Sequence, residues 1–189
     1  MRVFTMRTLD EIHGRKTNNL RGRGFSLIEL MIVVAIILII AAIAIPNFLR
    51  AKISANQAGA ASTVRSITTA SVEYSTTWSN GLPPTLDSLG GVAAPATCMG
   101  ALLIDPIIST APYQKSGYVF GYFPQGPTIT NPPPGCAAGY SAYLVTAMPI
   151  SVYTGTQSFC SDEPGIIHYD PLGGAIATPA ACEALNELQ

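Results

Sequence analysis

Few side chains in this chain are of a type and spacing to do chemistry, and they fall in three places. Glu29 interrupts an apolar run, "RGRGFSLIELMIVVAIILIIAAIAIPNF" from Arg21 to Phe48. Asp162, Glu163, His168 and Asp170 crowd together near the carboxyl end, and Cys98, Cys136, Cys160 and Cys182 are spread over the second half. The carboxyl-end group is the natural place to look for an active site. His168 is the one histidine after residue 24, so a Ser/His/Asp or Cys/His arrangement has a single candidate base. Asp162, Glu163 and Asp170 are candidate metal ligands, but their spacing matches no zinc or calcium pattern, and they read as solvent-facing residues of a hairpin. No C-x-x-C pair suggests a zinc or redox centre, and no Gly-rich loop leads into a helix to cradle a phosphate. The expectation is a protein that is not an enzyme and carries no cofactor.

That leaves Glu29 and the element that must position it. Residues 1–24 hold Arg2, Arg7, Arg15, Lys16, Arg21 and Arg23 against Asp10 and Glu11, a balance of +4. The remainder holds four basic residues against nine carboxylates, a balance of -5, so a basic tip precedes an acidic body. Such a body offers no electrostatic footing for nucleic acid. At the joint, Phe25–Ile45 as a helix would span roughly 30 Å, the thickness of a hydrocarbon core, and Leu30–Ile45 contains no polar side chain. A membrane segment is predicted, with the basic end in the cytoplasm and the body exported.

Three fates compete for this segment: a cleaved secretory signal, a permanent anchor, and a leader cut ahead of the apolar stretch. Ala42-Ile43-Ala44 offers the small-x-small pattern of an ordinary signal, but a discarded signal gains nothing from Glu29. A charge in a membrane helix is unfavourable by up to ~2.5–3.5 kcal/mol at mid-bilayer, less near the cytoplasmic end. One reading of Glu29 is a first-turn carboxylate that favours the helix dipole and reaches the headgroups. The other is that a cut between Gly24 and Phe25 creates an ammonium four residues away, with which the carboxylate pairs in its own chain or a neighbour's.

"GFSLIELMIVVAIILIIAAIAIPNF" resembles the amino terminus of the type IV pilin and type II secretion pseudopilin superfamily, whose prepilins carry class III signal peptides: a Gly, a Phe directly after it, and a Glu at the fifth mature position. The resemblance covers about 25 residues and implies that prepilin peptidase cuts after Gly24 and methylates the amino group of Phe25, and that Glu29 serves processing and assembly. Pro46 falls at mature position 22, where many members also have proline. The 24-residue leader is longer than the few residues common in type IVa pilins, and initiation at Met6 would shorten it. A second, less specific likeness covers "WSNGLPPTLDSLGG", Trp78–Gly91, similar to the segment that follows the long helix in pseudopilins and related pilins.

Beyond the span, Ile53, Gln57, Ala60, Val64, Ile67, Ser71, Tyr74 and Trp78 recur at alternating spacings of four and three, the stripe of an amphipathic helix face. Pro46 withdraws one amide hydrogen, so it marks a weak point within a longer helix, roughly Phe25–Ser79. Asn80-Gly81 and Pro83-Pro84 stop that helix. All 15 prolines lie at or after Pro46, and "NPPPG" at 131–135 reads as an exposed loop. Alternating or aromatic runs at 118–123, 140–147, 158–160 and 166–169 predict an antiparallel meander of three or four strands, with a tight turn at Asp162-Glu163-Pro164-Gly165. The eight tyrosines read as core or sheet surface. The predicted fold is α+β and pilin-like, a long amino-terminal helix packed on a small antiparallel β-sheet head.

The expected organisation is a cleaved cytoplasmic leader (1–24), a transmembrane and assembly helix (25–46), an amphipathic helix half (47–79) and a disulfide-bearing head (80–189). An even set of cysteines outside the cytoplasm implies disulfides, and four permit three connectivities. Sequential pairing, Cys98 with Cys136 and Cys160 with Cys182, is the expected one; the second bridge would resemble the closed carboxyl-terminal loop of many type IV pilins. Some pseudopilins bind calcium in the head, which keeps Asp162, Glu163 and Asp170 as subsidiary candidates. The expected partners are other copies of the chain, prepilin peptidase, the membrane, and the inner-membrane machinery that assembles a pilus or secretion pseudopilus. The alternatives are the major pseudopilin of a type II secretion system and an exported enzyme or binding module on an anchor.

Overall fold

A computed structural model describes residues 25–91 and 95–188; the leader, with Gly24, lies outside them. The described chain is α+β. Helix α1 (Leu27–Trp78) is followed by α2 (Leu86–Leu89), β1 (Gln114–Lys115), β2 (Tyr118–Thr128), β3 (Tyr140–Pro149), β4 (Ser158–Asp162), β5 (Ile167–Asp170), α3 (Pro179–Glu183) and β6 (Asn186–Glu187). The chain divides into two compact units at Ala42/Ile43. In the first, the described side chains from Phe25 to Ile40 are all exposed, although nearly every one is apolar.

In the second unit the six strands form one antiparallel sheet in sequential order. Sequence patterning predicts three or four strands. The two extra ones, β1 and β6, are two residues long and too short to show a period. Side chains alternate faces along a strand, and β3 illustrates the sorting: Tyr143, Val145 and Ala147 join the main core, whereas Leu144 packs on the opposite side with Cys160, Ile176 and Cys182.

The main core is where α1 meets the sheet. Ala60, Val64, Ile67, Ser71 and Tyr74 are buried, while Ile53, Gln57 and Trp78 of the same stripe are half-buried. Small residues on that face let the backbone approach the sheet. The hydroxyls of Thr63 and Ser71 turn back to the carbonyls of Gly59 and Ile67, at 2.8 and 2.9 Å, so burying them leaves no orphan donor. Tyr74, Tyr118 and Tyr143 are core residues; Tyr74 donates to the Cys98 carbonyl at 2.8 Å, and burial pushes the Tyr118 phenol up to about 12. Ser79, with φ 48°, ends α1 in the left-handed region, and a reciprocal Thr85–Ser88 capping box starts α2.

The carboxyl-terminal segment folds back over the sheet's other face, where the Cys160–Cys182 bridge holds it. This corrects the reading of the hairpin residues as solvent-facing: Asp162 and His168 are only 3% and 5% exposed. The covering strap explains it. His168 Nδ1 lies 3.1 Å from the Leu185 carbonyl, a contact satisfied by the Nδ1–H tautomer. Glu163 stays exposed. Asp170 accepts from the backbone N–H groups of Leu172 and Gly174 at 2.9 and 2.8 Å, fixing the turn after β5. Asp162 has no hydrogen-bond partner for either carboxylate oxygen among the described residues. Burial holds its carboxyl above the usual range, and Glu183 adds to this while His168 partly opposes it.

Two outcomes are expected. Ile67→Ala should destabilise the head by about 2–5 kcal/mol in denaturant melts, from lost transfer energy and a residual cavity, whereas Val72→Ala, half-exposed on the same helix, should change stability by less than about 0.5 kcal/mol. Because Asp162 binds its proton more tightly in the folded state, its contribution is complete below the ordinary value of 3.8 and should be lost as pH rises through the raised native value. The loss amounts to about 1.4 kcal/mol for each tenfold tightening of proton binding on folding. Asp162→Asn should flatten that part of the stability–pH curve; an unchanged curve would show that Asp162 does not titrate abnormally.

Candidate functional site

The site is built from the first turn of α1. A helix begins with backbone N–H groups that lack intrahelical acceptors. Here the Ser26 N–H donates to Glu29 Oε2 at 2.9 Å, and the Leu30 N–H donates to the Ser26 carbonyl at 3.2 Å. Ser26 is therefore the N-cap and Glu29 the third helical residue, whose side chain reaches back to the cap as in one half of a capping box. The bond also holds a carboxylate at the positive end of the helix dipole. Sequence reasoning passed over Ser26, though the Ser-x-x-Glu spacing ahead of an apolar run carries the signal.

This cap gives Glu29 a local role without exhausting it. A carboxylate offers about four acceptor positions, so one backbone N–H leaves capacity for an ammonium. Phe25, whose amino group would become that ammonium on cleavage, is 81% exposed immediately ahead of the cap. Helix α1 has a stretch long and apolar enough to cross a membrane, with mean hydropathy 3.2 and none of that stretch buried. All backbone hydrogen bonding in a helix is internal, which is what allows such a segment to leave water. Pro46 lies inside α1; the helix is continuous through it, at the cost of one bond to the Ala42 carbonyl.

The other candidate residues do not gather into a site. Cys98 bonds to Cys136 and Cys160 to Cys182, with Cα separations of 5.6 and 6.0 Å, the sequential pairing. Asp162 is buried, Glu163 is exposed and Asp170 holds a turn. No group of three or more His, Cys, Asp or Glu able to hold a metal occurs among the described residues.

Residues 20–45 match the family model described as the prokaryotic N-terminal methylation motif. The type IV major pilin protein PilA of Myxococcus xanthus (strain DK1622) is 52% identical over 56 residues, which cover 30% of this chain and 26% of that relative. The chain thus spans about a quarter of the length of the curated relative it matches. No solved structure matches it. The residues these matches share include the apolar segment with its Glu29, so what they show is that the chain carries the prokaryotic N-terminal methylation motif and that its amino-terminal part is similar to that of a type IV major pilin.

Proposed function

We propose that this chain is a structural filament subunit, made as a membrane-anchored precursor, cut by prepilin peptidase after Gly24, methylated at the Phe25 amino group, and polymerised with copies of itself. The observation that carries the reading is the apolar first half of α1, exposed along its length and capped by one carboxylate. In the membrane its partner is lipid. In a filament its partners are the same helices of other subunits, and Glu29 takes the amino group of a neighbour's Phe25, satisfying two charges that lipid would leave unpaired. The head forms the outer surface, and its two disulfides suit an oxidising compartment outside the cytoplasm. The proposed bodies are the leader (1–24), the assembly helix (25–46), the amphipathic half (47–79) and the head (80–189). Assembly machinery in the inner membrane is the expected further partner.

A second reading, the major pseudopilin of a type II secretion system, is favoured by the Trp78–Gly91 segment, which turns through Gly81 and Pro83-Pro84 into the capped helix α2. Loss of surface filaments on deletion of the chain, with secretion intact, supports the pilin; secretion that fails on deletion supports the pseudopilin.

Mass analysis of the mature chain should give an amino-terminal N-methyl-Phe25. A chain starting at Ile45 or Asn47 would instead mean ordinary signal cleavage. Glu29→Ala should leave a stable, membrane-bound protein while filament yield falls roughly tenfold or more, the loss expected when a charge-assisted bond of about 1.5–3 kcal/mol is removed. Normal filaments from that variant would sink the pairing with Phe25.

A further inference from the structure

The sheet covers one face of the second half of α1 and leaves the opposite face to solvent. Between Ala58 and Thr76 that outer face is low: apart from Arg65 and Glu73, none of its exposed side chains is larger than valine or threonine. Its hydroxyls are largely satisfied from within. Ser66 donates to the Ser62 carbonyl and Thr69 to the Arg65 carbonyl, both at 3.0 Å, and Thr76 to the Glu73 carbonyl at 2.9 Å. A close neighbour can therefore dry this surface without orphaning those donors, and short side chains let a second helix approach.

The two charges on this face lack partners among the described residues. Three and four positions away on the helix surface, Arg65 has Ala61, Ser62, Thr68 and Thr69, and Glu73 has Thr69, Ala70, Thr76 and Thr77, so neither makes an intrahelical pair. Lys115 and Asp105 form an ion pair at 3.1 Å, and neither Arg65 nor Glu73 enters one among the described residues. Eight residues of helix place Glu73 about 12 Å beyond Arg65 along α1. Each stands roughly 140° around the helix from the buried Ala60–Tyr74 stripe, on opposite sides. One flank of the outer face thus carries a cation and the other an anion. An open groove of about 400 Å³ runs beside the helix from Ser62 to Glu73, with Leu103 as its far wall.

Opposite charges on opposite flanks complement each other between copies. When two such helices lie side by side, parallel and shifted by about 12 Å, the Arg65 flank of one faces the Glu73 flank of the next at the same height. Each helix keeps its other flank for a third copy, which is the heterologous contact that builds an open array rather than a closed dimer. Parallel orientation follows from precursors that leave one membrane the same way round. Elsewhere like charges dominate: residues 80–189 hold Lys115 against seven carboxylate side chains, so head surfaces repel one another.

We propose that Arg65 of one subunit pairs with Glu73 of the next, in the groove beside it, and that this pair sets the axial offset between neighbouring copies. The proposal rests on the filament reading above and deepens it, assigning a register contact to the half of α1 that carries the sheet.

The test uses the full chain. Arg65→Glu and Glu73→Arg should each leave the denaturant midpoint of the head unchanged and cut filament yield roughly tenfold, as like charges meet at every contact. The double exchange should restore the yield. Ala58 and Ser66, both exposed, stand in the same eight-residue relation, and the described native cysteines are all in disulfides. Filaments of an Ala58→Cys/Ser66→Cys chain, which keeps both charges, should therefore give a ladder of covalent multimers with a short bismaleimide, and either single cysteine should give monomers. Normal yield from both charge variants overturns the proposal and leaves the filament reading intact. A double exchange that melts normally yet stays without filaments overturns it as well. Cross-linking through a single cysteine, or none through the pair in intact filaments, shows a different offset or an antiparallel contact and also overturns it. Absence of filaments from cells making the unaltered chain would remove the filament reading itself.

Discussion

Everything in this molecule depends on one helix having to satisfy two environments. From Phe25 to Leu49 the side chains of α1 and its approach ask for an apolar surrounding that the described residues do not supply. From Ala60 to Tyr74 one face asks for the sheet and receives it. A helix can do both because its backbone bonds are internal whatever surrounds it, so composition alone changes along its length. The cap at Ser26 and Glu29 answers the one place where that self-sufficiency fails, the first turn.

The head is organised by how closely it lets this helix approach. Ala60, Ala61, Ala70 and Ser71 keep the α1 face low, and bulk comes from the sheet in Tyr118, Phe120, Tyr143 and Phe159. Tyr122 and Tyr143 stack with centroids 5.7 Å apart. Burial raises both phenols above their ordinary range, which keeps them neutral where a charge would be costly. Burial likewise holds the Asp162 carboxyl above its ordinary range, and neither of its oxygens has a hydrogen-bond partner among the described residues.

What the sequence made legible was whatever had a local cause. The four-and-three stripe from Ile53 to Trp78, the stops after Trp78 and the alternation at Tyr118–Phe123 and Tyr140–Ala147 follow from periods that neighbouring residues carry themselves. The continuation of β2 to Thr128 was hidden by Pro124, Gly126 and Pro127. Among the described residues its outer edge is paired at Tyr118 and Val119 and bonded once more by the Phe120 N–H to the Tyr113 carbonyl, so prolines beyond them forfeit no bond on that side, and a bulge between Gln125 and Thr128 absorbs the glycine. The burial of His168 was illegible for another reason: its cover comes from Leu185 and α3, and no spacing around His168 encodes a strap that arrives from further along the chain. At the amino end the informative pattern was chemical rather than periodic, and the role proposed for Gly24 stands on that pattern alone, since it lies outside the described residues.

Both disulfides link residues beyond Trp78, and neither includes a residue of α1. The covalent cross-links stiffen the sheet and its straps but leave their grip on the helix to packing and a few side-chain bonds such as Asn56 to Thr154. A tensile load carried along α1 would therefore meet a mechanical fuse at the helix–sheet seam. The sheet would peel from the helix as an intact, cross-linked plate, and it could reseat when the load is released.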